Sequence, residues 1–295
     1  MNRIERAAQL HDEGMALAVQ GASELAIQRC LEAIELDPQR AATYYNIGLI
    51  HKYQSRWRKS FEYNRSAVER APDDEAANWN LAIAATALRD WATARSVWSR
   101  LGMPIGAGDQ PIDEDFGATP VRLNAHDAAE VVWARRIDPV RARLLNIPFA
   151  SSGYRYGDIV LHDGAPVGSR LDAQGRERPV FNVLQLFQAS RFSTFEVELT
   201  APSPDDVEAL EALCNELEFP MEDWSASVQF LCKACSEGTP HEHGDPAPAE
   251  WNPSRRIALA ASDEALIDRA LHRWLTGKRE IGSVALAVDA GMKPS

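Results

Sequence analysis

The chain has 295 residues, and 45% of them are hydrophobic, which is enough to build two or three domains with packed cores. No apolar run reaches the roughly 18 residues that a membrane-spanning helix needs, and the first residues are charged and amphipathic, unlike a signal peptide. A formal net charge of -12 disfavours a nucleic-acid-binding surface, which requires basic patches. We therefore predict a cytoplasmic protein that binds neither membranes nor nucleic acids, and its richness in alanine and arginine favours a bacterial source.

Small residues and prolines recur with a fixed spacing in the first third of the chain. Pro38 and Pro72 are 34 residues apart, and three series of positions follow the same period. These series are Gly14, Gly48 and Ala82; Ala26, Ser60 and Ala94; and Ala33, Ala67 and Leu101. Such a period is typical of stacked helix-turn-helix units, in which two antiparallel helices pack closely where the side chains are small. The pattern predicts three such units over residues 7–103.

This pattern resembles the tetratricopeptide repeat (TPR) family. Tyr44 matches the aromatic residue that the family has near the start of the first helix, and Leu81 falls at its usual leucine. Leu10 stands in place of that aromatic in the first repeat, and the third repeat runs into Gly102-Met103-Pro104 instead of the closing proline. Terminal repeats are commonly atypical in this way. The resemblance implies an all-α TPR solenoid over residues 1–103.

The resemblance also implies where a partner binds. Stacked helix pairs form a concave groove lined by the first helix of each pair, and extended or helical peptides lie in it. Asn46 and Asn80 recur on that inner face, and asparagine at this place in the family commonly contacts the backbone of the ligand. With Tyr44 and His11 they form the predicted partner-binding set. The carboxylate clamp of chaperone-binding TPRs needs lysine and arginine, but His11 and two apolar residues stand there, so binding to chaperone tails is not expected.

The segment after the repeats changes character twice. Residues 104–120 are rich in glycine, proline and acidic side chains, which predicts a linker. Residues 121–190 contain short strand-like runs separated by glycine and proline, with a turn expected at Asp163-Gly164. The predicted strands are Glu130–Arg136, Ala142–Ile147, Gly157–His162 and Phe181–Phe187. Short strands at this spacing predict a small β-rich domain, built as a twisted sheet or a barrel.

Residues 191–295 repeat one β-α-β plan twice. The first copy consists of the strand Phe192–Thr200, a helix that begins at Ser203, and the strand Ser227–Cys232. The second consists of the strand Arg256–Ala260, a helix that begins at Ser262, and the strand Val284–Val288. Two successive units of this kind fit a ferredoxin-like domain, in which an antiparallel sheet carries its helices on one side. The whole chain is thus predicted to be an α+β multidomain protein.

A group of cysteines and histidines lies between these two copies, within residues 232–243. The candidate metal ligands are Cys232, Cys235, His241 and His243. A Cys-x-x-Cys pair offers two thiolates to one ion, and four ligands of these types suit a tetrahedral, structural zinc ion. Their spacing does not match a standard zinc finger, so the alternative of a buried strand cysteine beside an exposed polar loop stays open. Four cysteines are too few for a disulfide scaffold, and reduced thiols are expected.

The sequence therefore predicts a non-enzymatic adaptor that binds a protein or peptide partner through its TPR groove. The chain has no Gly-x-Ser-x-Gly elbow, no Walker phosphate loop and no dinucleotide-binding glycine motif after a strand. Two alternatives remain. A bacterial immunity or antitoxin protein would neutralise a basic toxin through an acidic surface, and its complex would weaken strongly in salt. A metal-dependent enzyme would need an open coordination position on the metal, with Glu242 as a general base.

Overall fold

The computed structural model of the chain describes residues 2–127, 129–226 and 250–291. The chain divides into two compact units, Met1–Asp113 and Glu114–Ser295. The first unit is helical and the second is built on two β-sheets, so the protein is of the mixed α+β class. Within the described ranges, no helix has both the length and the apolar character needed to cross a membrane.

The described part of the first unit contains six helices in three consecutive pairs. They are α1 (Arg3–Val19), α2 (Ser23–Leu36), α3 (Ala41–Tyr53), α4 (Trp57–Arg70), α5 (Glu75–Ala87) and α6 (Trp91–Arg100). Their number and positions agree with the three predicted helix-turn-helix units. Trp57 and Trp91, which are 34 residues apart, are both buried and begin the second helix of their pairs.

Local sequence explains where several of these helices begin and end. Asn2 caps α1, because its Oδ1 accepts a hydrogen bond from the N–H of Glu5 at 2.8 Å while the Glu5 carboxylate accepts one from the N–H of Asn2. Asp74 caps α5 in a similar way. Helix α2 ends just before Pro38 and α4 just before Pro72. This is expected, because a proline disfavours the helical conformation in the residue that precedes it.

Two glycines allow the helices of a pair to approach closely. A Cβ atom on Gly14 would lie 2.8 Å from Cys30 Sγ and 3.0 Å from the carbonyl oxygen of Ala26. A Cβ atom on Gly48 would lie 2.5 Å from Asn64 Nδ2. All three distances are shorter than a van der Waals contact, so a larger residue at position 14 would press on the backbone of α2, and one at position 48 would displace the Asn64 side chain. The predicted approach of Gly14 to Ala26 is thus confirmed.

Five strands of the second unit close into a barrel. They are β1 (Ala118–Leu123), β2 (Glu130–Arg136), β3 (Arg141–Leu144), β4 (Ile159–Leu171) and β5 (Glu177–Gln188). Consecutive strands pair antiparallel, and β1 also pairs with β5 in parallel through Val121 and Phe181. Strand β1 begins at Ala118, inside the segment predicted to be a linker.

The turn predicted at Asp163-Gly164 is wrong, because strand β4 continues through both residues. The pairing of β4 with β5 shifts register on either side of His162 and again near Pro166. Such irregularities bend a strand and increase its twist, which a small closed barrel requires. Glycine here therefore marks a bend within a strand.

The other long elements within residues 193–226 and 250–291 form a four-stranded antiparallel sheet with two helices. In chain order they are β6 (Ser193–Thr200), α7 (Pro204–Glu216), β7 (Met221–Asp223), β8 (Ser254–Ala261), α8 (Glu264–Trp274) and β9 (Glu280–Val288), and the strand order is β7-β8-β6-β9. Leu210 and Cys214 of α7 share one apolar core with Ile267 and Trp274 of α8, so both helices cover the same face of the sheet. Strand β7 stands earlier in the chain than the predicted strand Ser227–Cys232, which lies outside the described residues.

The barrel and this sheet pack against each other within the second unit. The indole of Trp224 is buried in a cluster with Ile147 from the barrel side and with Ala258 and Ala260 of β8. Its Nε1 donates a hydrogen bond to the carbonyl oxygen of Ile147 at 3.1 Å. A buried tryptophan with its N–H satisfied contributes a large apolar area at no polar cost. The loop that follows β3 is thereby held against the sheet.

Candidate functional site

The structure brings together two of the predicted partner-binding residues, His11 and Asn46. His11 is buried on α1, and its Nδ1 lies 3.1 Å from Thr43 Oγ1 on α3. Its Nε2 lies 3.4 Å from Asn46 Nδ2. Burial lowers the pKa of His11, Arg40 lowers it further and Asp12 opposes the shift, which favours a neutral ring. A neutral ring fits these contacts if Nδ1–H donates to Thr43 and Nε2 accepts from Asn46.

Asn80 joins a second contact between the first helices of neighbouring pairs. Its side chain is 4% exposed, and its Oδ1 accepts a hydrogen bond from Lys52 Nζ on α3 at 3.1 Å. Lys52 also lies 4.6 Å from the ring centroid of Tyr53. The amide oxygen of Asn80 is therefore engaged within the helical unit, and Asn46 is the more accessible of the two asparagines.

Tyr44 holds the turn that closes the first helix pair. Its hydroxyl donates to the carbonyl oxygen of Pro38 at 3.3 Å, and the guanidinium of Arg70 lies 3.9 Å from its ring centroid. The contact recurs 34 residues later, where Asn78 Nδ2 donates to the carbonyl oxygen of Pro72 at 2.8 Å. Tyr44 thus has a structural contact that the family resemblance did not indicate, and its ring is buried.

The predicted metal ligands Cys232, Cys235, His241 and His243 lie outside the described residues. Cys30 and Cys214 are free and buried, and burial raises their thiol pKa values to about 11 and about 12, which makes both thiols poor nucleophiles at neutral pH. Across the described ranges, no group of three or more histidine, cysteine, aspartate or glutamate residues is arranged to hold a metal ion.

A cavity of about 250 Å³ lies where the barrel meets the four-stranded sheet, and sequence reasoning did not find it. Glu130 begins β2, and its carboxylate accepts hydrogen bonds from the N–H of Phe149 at 3.1 and 3.2 Å. Glu222 lies in β7, and its Oε1 accepts from Asn146 Nδ2 at 2.6 Å. The lining consists of Glu130, Val131, Val132, Trp133, Asn146, Ile147, Phe149, Arg170, Glu222 and Trp224.

Both carboxyl groups in this cavity are harder to ionise than usual. Burial raises the pKa of Glu130 to about 8, the N–H of Phe149 opposes that shift, and the charge of Glu222 adds to it. Burial also raises the pKa of Glu222, against the hydrogen bonds from Asn146 and Ile147. The only sequence signal was an acidic residue at the start of an apolar strand, which is common on exposed strand ends. The convergence of Glu130 and Glu222 depends on the packing of two sheets.

The comparisons with known proteins assign no family. No family model matches the sequence, and no curated protein matches it. Among solved structures, the N-terminal domain of stress-induced protein-1 (STI-1) from C. elegans is 22% identical, covering 34% of this chain and 84% of that one with a TM-score of 0.31. A hypothetical protein from Neisseria gonorrhoeae is 14% identical, covering 61% of this chain and 96% of that one with a TM-score of 0.27. Both TM-scores are low, and these similarities define neither the activity nor the partner of this chain.

Proposed function

We propose that the protein is a non-enzymatic adaptor whose first unit is a TPR solenoid that binds a peptide or protein partner along its first helices. The observation that carries this proposal is the pair of polar contacts, His11 with Asn46 and Lys52 with Asn80, that link α1 to α3 and α3 to α5. They place amide groups one repeat apart along one side of the unit. A ligand backbone needs such regularly spaced donors and acceptors.

The hydrogen-bonding capacity of the two asparagines supports a role in holding a peptide backbone. Among the described residues, Asn46 Oδ1 accepts no hydrogen bond, whereas Asn80 Oδ1 is occupied by Lys52. Asn46 therefore offers an acceptor for a peptide N–H, and Asn80 retains its Nδ2 as a donor for a peptide carbonyl. Contacts of this kind recognise the backbone whatever the side chains of the ligand are.

Alanine at position 46 is expected to weaken peptide binding about tenfold, because a peptide N–H is then left without its acceptor. Peptides selected from a random display library against the full chain provide the ligand, and fluorescence anisotropy gives the Kd for the wild type and for Asn46→Ala. The matched control is Gln28→Ala, which removes an exposed amide from the second helix α2.

Equal Kd values for Asn46→Ala and the wild type would contradict groove binding, and so would an equal loss in Gln28→Ala. Binding that is retained by Asn46→Ala but lost in moderate salt would instead favour the immunity-protein alternative, with recognition by an acidic surface.

For the second unit we propose a ferredoxin-like domain over residues 191–295. The element order β-α-β-β-α-β supports this assignment, as do the antiparallel pairing of all four strands and the position of α7 and α8 on one face. The free thiols of Cys30 and Cys214 are consistent with the cytoplasmic location that we propose for the protein.

We also propose that Cys232, Cys235, His241 and His243 bind one structural zinc ion, on the basis of ligand type and spacing in the sequence.

Protein purified without added metal is expected to contain about one zinc ion per chain by elemental analysis, because four ligands of these types bind zinc tightly. Cys232→Ser should lower this content sharply, whereas His272→Gln, an exposed histidine of α8, should not. Zinc-free wild-type protein would contradict the proposal. Cobalt spectra with an open coordination position would favour the metal-enzyme alternative.

A further inference from the structure

The cavity between the barrel and the four-stranded sheet combines aromatic walls with two carboxyl groups. Trp133, Phe149 and Trp224 belong to its lining, and the rings of Phe149 and Trp224 lie 5.2 Å apart between centroids. Its volume of about 250 Å³ suits a group of a few heavy atoms, such as the side chain of one amino acid. Both Glu130 and Glu222 belong to its lining and are partly buried.

These two carboxyl groups have hydrogen-bond donors but no cationic partner in the described parts of the chain. Glu130 accepts from the N–H of Phe149, and Glu222 accepts from Asn146 Nδ2. The lining contains one cationic residue, Arg170, whose Nη1 donates to the carbonyl oxygen of Val131 at 2.8 Å and which forms no ion pair with either glutamate. Partly buried carboxylates are costly when they lack an opposite charge.

We propose that this cavity binds an organic ammonium ion, from either a small free amine or a lysine side chain of a partner. An ammonium group donates hydrogen bonds to carboxylate oxygens and supplies the opposite charge that Glu130 and Glu222 lack. The indole of Trp133, a half-buried lining residue, attracts a cation further, and the apolar part of the lining accommodates the methylene groups attached to it.

A metal ion fits the described lining less well than an ammonium ion. The two glutamates are its only metal-binding carboxylates, and the third oxygen donor nearby, Asn146 Oδ1, already accepts a hydrogen bond from the N–H of Trp133 at 2.7 Å. Hard divalent cations need six or more oxygen ligands, some of which are waters. The aromatic side chains of this lining supply no such oxygen ligands.

Binding of the ammonium ion is coupled to loss of a proton from the cavity. The pKa of Glu130 is about 8, so this carboxyl group is mostly protonated at neutral pH, and the other charged groups that line the cavity are Glu222 and Arg170. A cation binds the ionised form, so affinity rises as pH rises through this pKa. An alkylammonium with a pKa of about 10.4 remains charged up to that range. We expect the Kd to fall about tenfold or more between pH 6.5 and pH 8.5.

The test is a titration of the full chain with n-butylammonium chloride at pH 8.5 and constant ionic strength. Ligand-observed NMR measures the binding. We expect saturable binding of n-butylammonium, and at least about tenfold weaker binding of the neutral analogue n-butanol. This comparison uses only the wild-type protein, so it does not depend on the stability of any variant. Equal binding of the two compounds, or no saturation by n-butylammonium, would overturn the proposal.

Two further experiments test whether the ligand binds in this cavity and whether it is a small free amine or a lysine side chain of a partner. Glu130→Gln and Glu222→Gln, which keep the shape of the side chain, are each expected to weaken n-butylammonium binding about tenfold, whereas Glu218→Gln, an exposed position outside the lining, is not. Unchanged affinity in both cavity variants would refute the assignment. Binding of Nα-acetyl-lysine methylamide as well as n-butylammonium would indicate a lysine of a partner; binding of n-butylammonium alone would indicate a small free amine.

Discussion

Alanine at position 138 is expected to lower the free energy of unfolding of the second unit by about 3–5 kcal/mol, because it removes one partner of a buried ion pair. Asp138 has no exposed surface, and its Oδ2 lies 2.5 Å from Arg141 Nε. Its Oδ1 accepts hydrogen bonds from the N–H groups of Val140 and Arg141 at 2.8 and 2.5 Å. The substitution removes both the charge that faces the guanidinium and the acceptor that shapes the turn between β2 and β3. Urea denaturation followed by circular dichroism measures the loss.

An exposed ion pair in the same unit provides the matched control for Asp138→Ala. Arg273 Nη2 and Glu216 Oε2 lie 2.7 Å apart, and about half of each side chain is exposed to water. Exposed pairs are screened by water, so Glu216→Ala is expected to lower the free energy of unfolding by no more than about 1 kcal/mol, although the pair is bidentate. A similar loss of stability in both variants would show that burial is not the reason why the Asp138 ion pair stabilises the second unit.

The helical third of the fold could be predicted from sequence because its contacts are local. Gly14 and Ala26, which meet across one helix pair, are 12 residues apart, and the same spacing recurs in each repeat. A period of this kind records packing between neighbours along the chain. Strand β2 was likewise predicted with its observed bounds, Glu130–Arg136, because a short run of β-branched and aromatic residues is a local property of the sequence.

The candidate binding cavity could not be predicted, because its groups meet only through long-range packing. Glu130 belongs to the barrel and Glu222 to the four-stranded sheet, and nothing in either local pattern indicates the other. The role of Asp138 was missed for the same reason: the sequence showed a proline turn, but the burial of its carboxylate depends on the closed barrel. The predicted groove residues His11 and Asn46 do meet, since the helix period fixes the register between α1 and α3.

His162 makes the stability of the barrel depend on pH. It is fully buried in β4 beside a register shift, its ring lies 5.0 Å from that of Phe181 between centroids, and its Nδ1 is 2.7 Å from the carbonyl oxygen of Asp163. Its Nε2 has no hydrogen-bond partner among the described residues. Burial lowers the pKa of His162 from 6.5 to about 4; the charge of Arg136 adds to the fall, whereas the carbonyl and charge of Asp163 oppose it.

A depressed histidine pKa means that the unfolded chain binds the proton more tightly than the folded chain does. Stability is therefore complete above pH 6.5, falls as pH drops below that value, and stops falling below about pH 4. A shift of this size corresponds to a loss of about 3 kcal/mol. Urea denaturation at pH 7, 5.5 and 4.5 measures the decline.

The contribution of this one histidine can be isolated by difference, because other buried groups also titrate in the same range. His162→Phe removes the titrating ring and keeps an aromatic side chain that can stack on Phe181, so its stability should fall less than that of the wild type between pH 7 and pH 4.5, by about 2 kcal/mol. His126→Gln changes an exposed histidine of the same unit and should follow the wild-type curve. If the free energy of unfolding of His162→Phe instead falls as much as that of the wild type, the protons that destabilise the barrel bind to other groups. The buried ring of His162 would then not explain the loss of stability in acid.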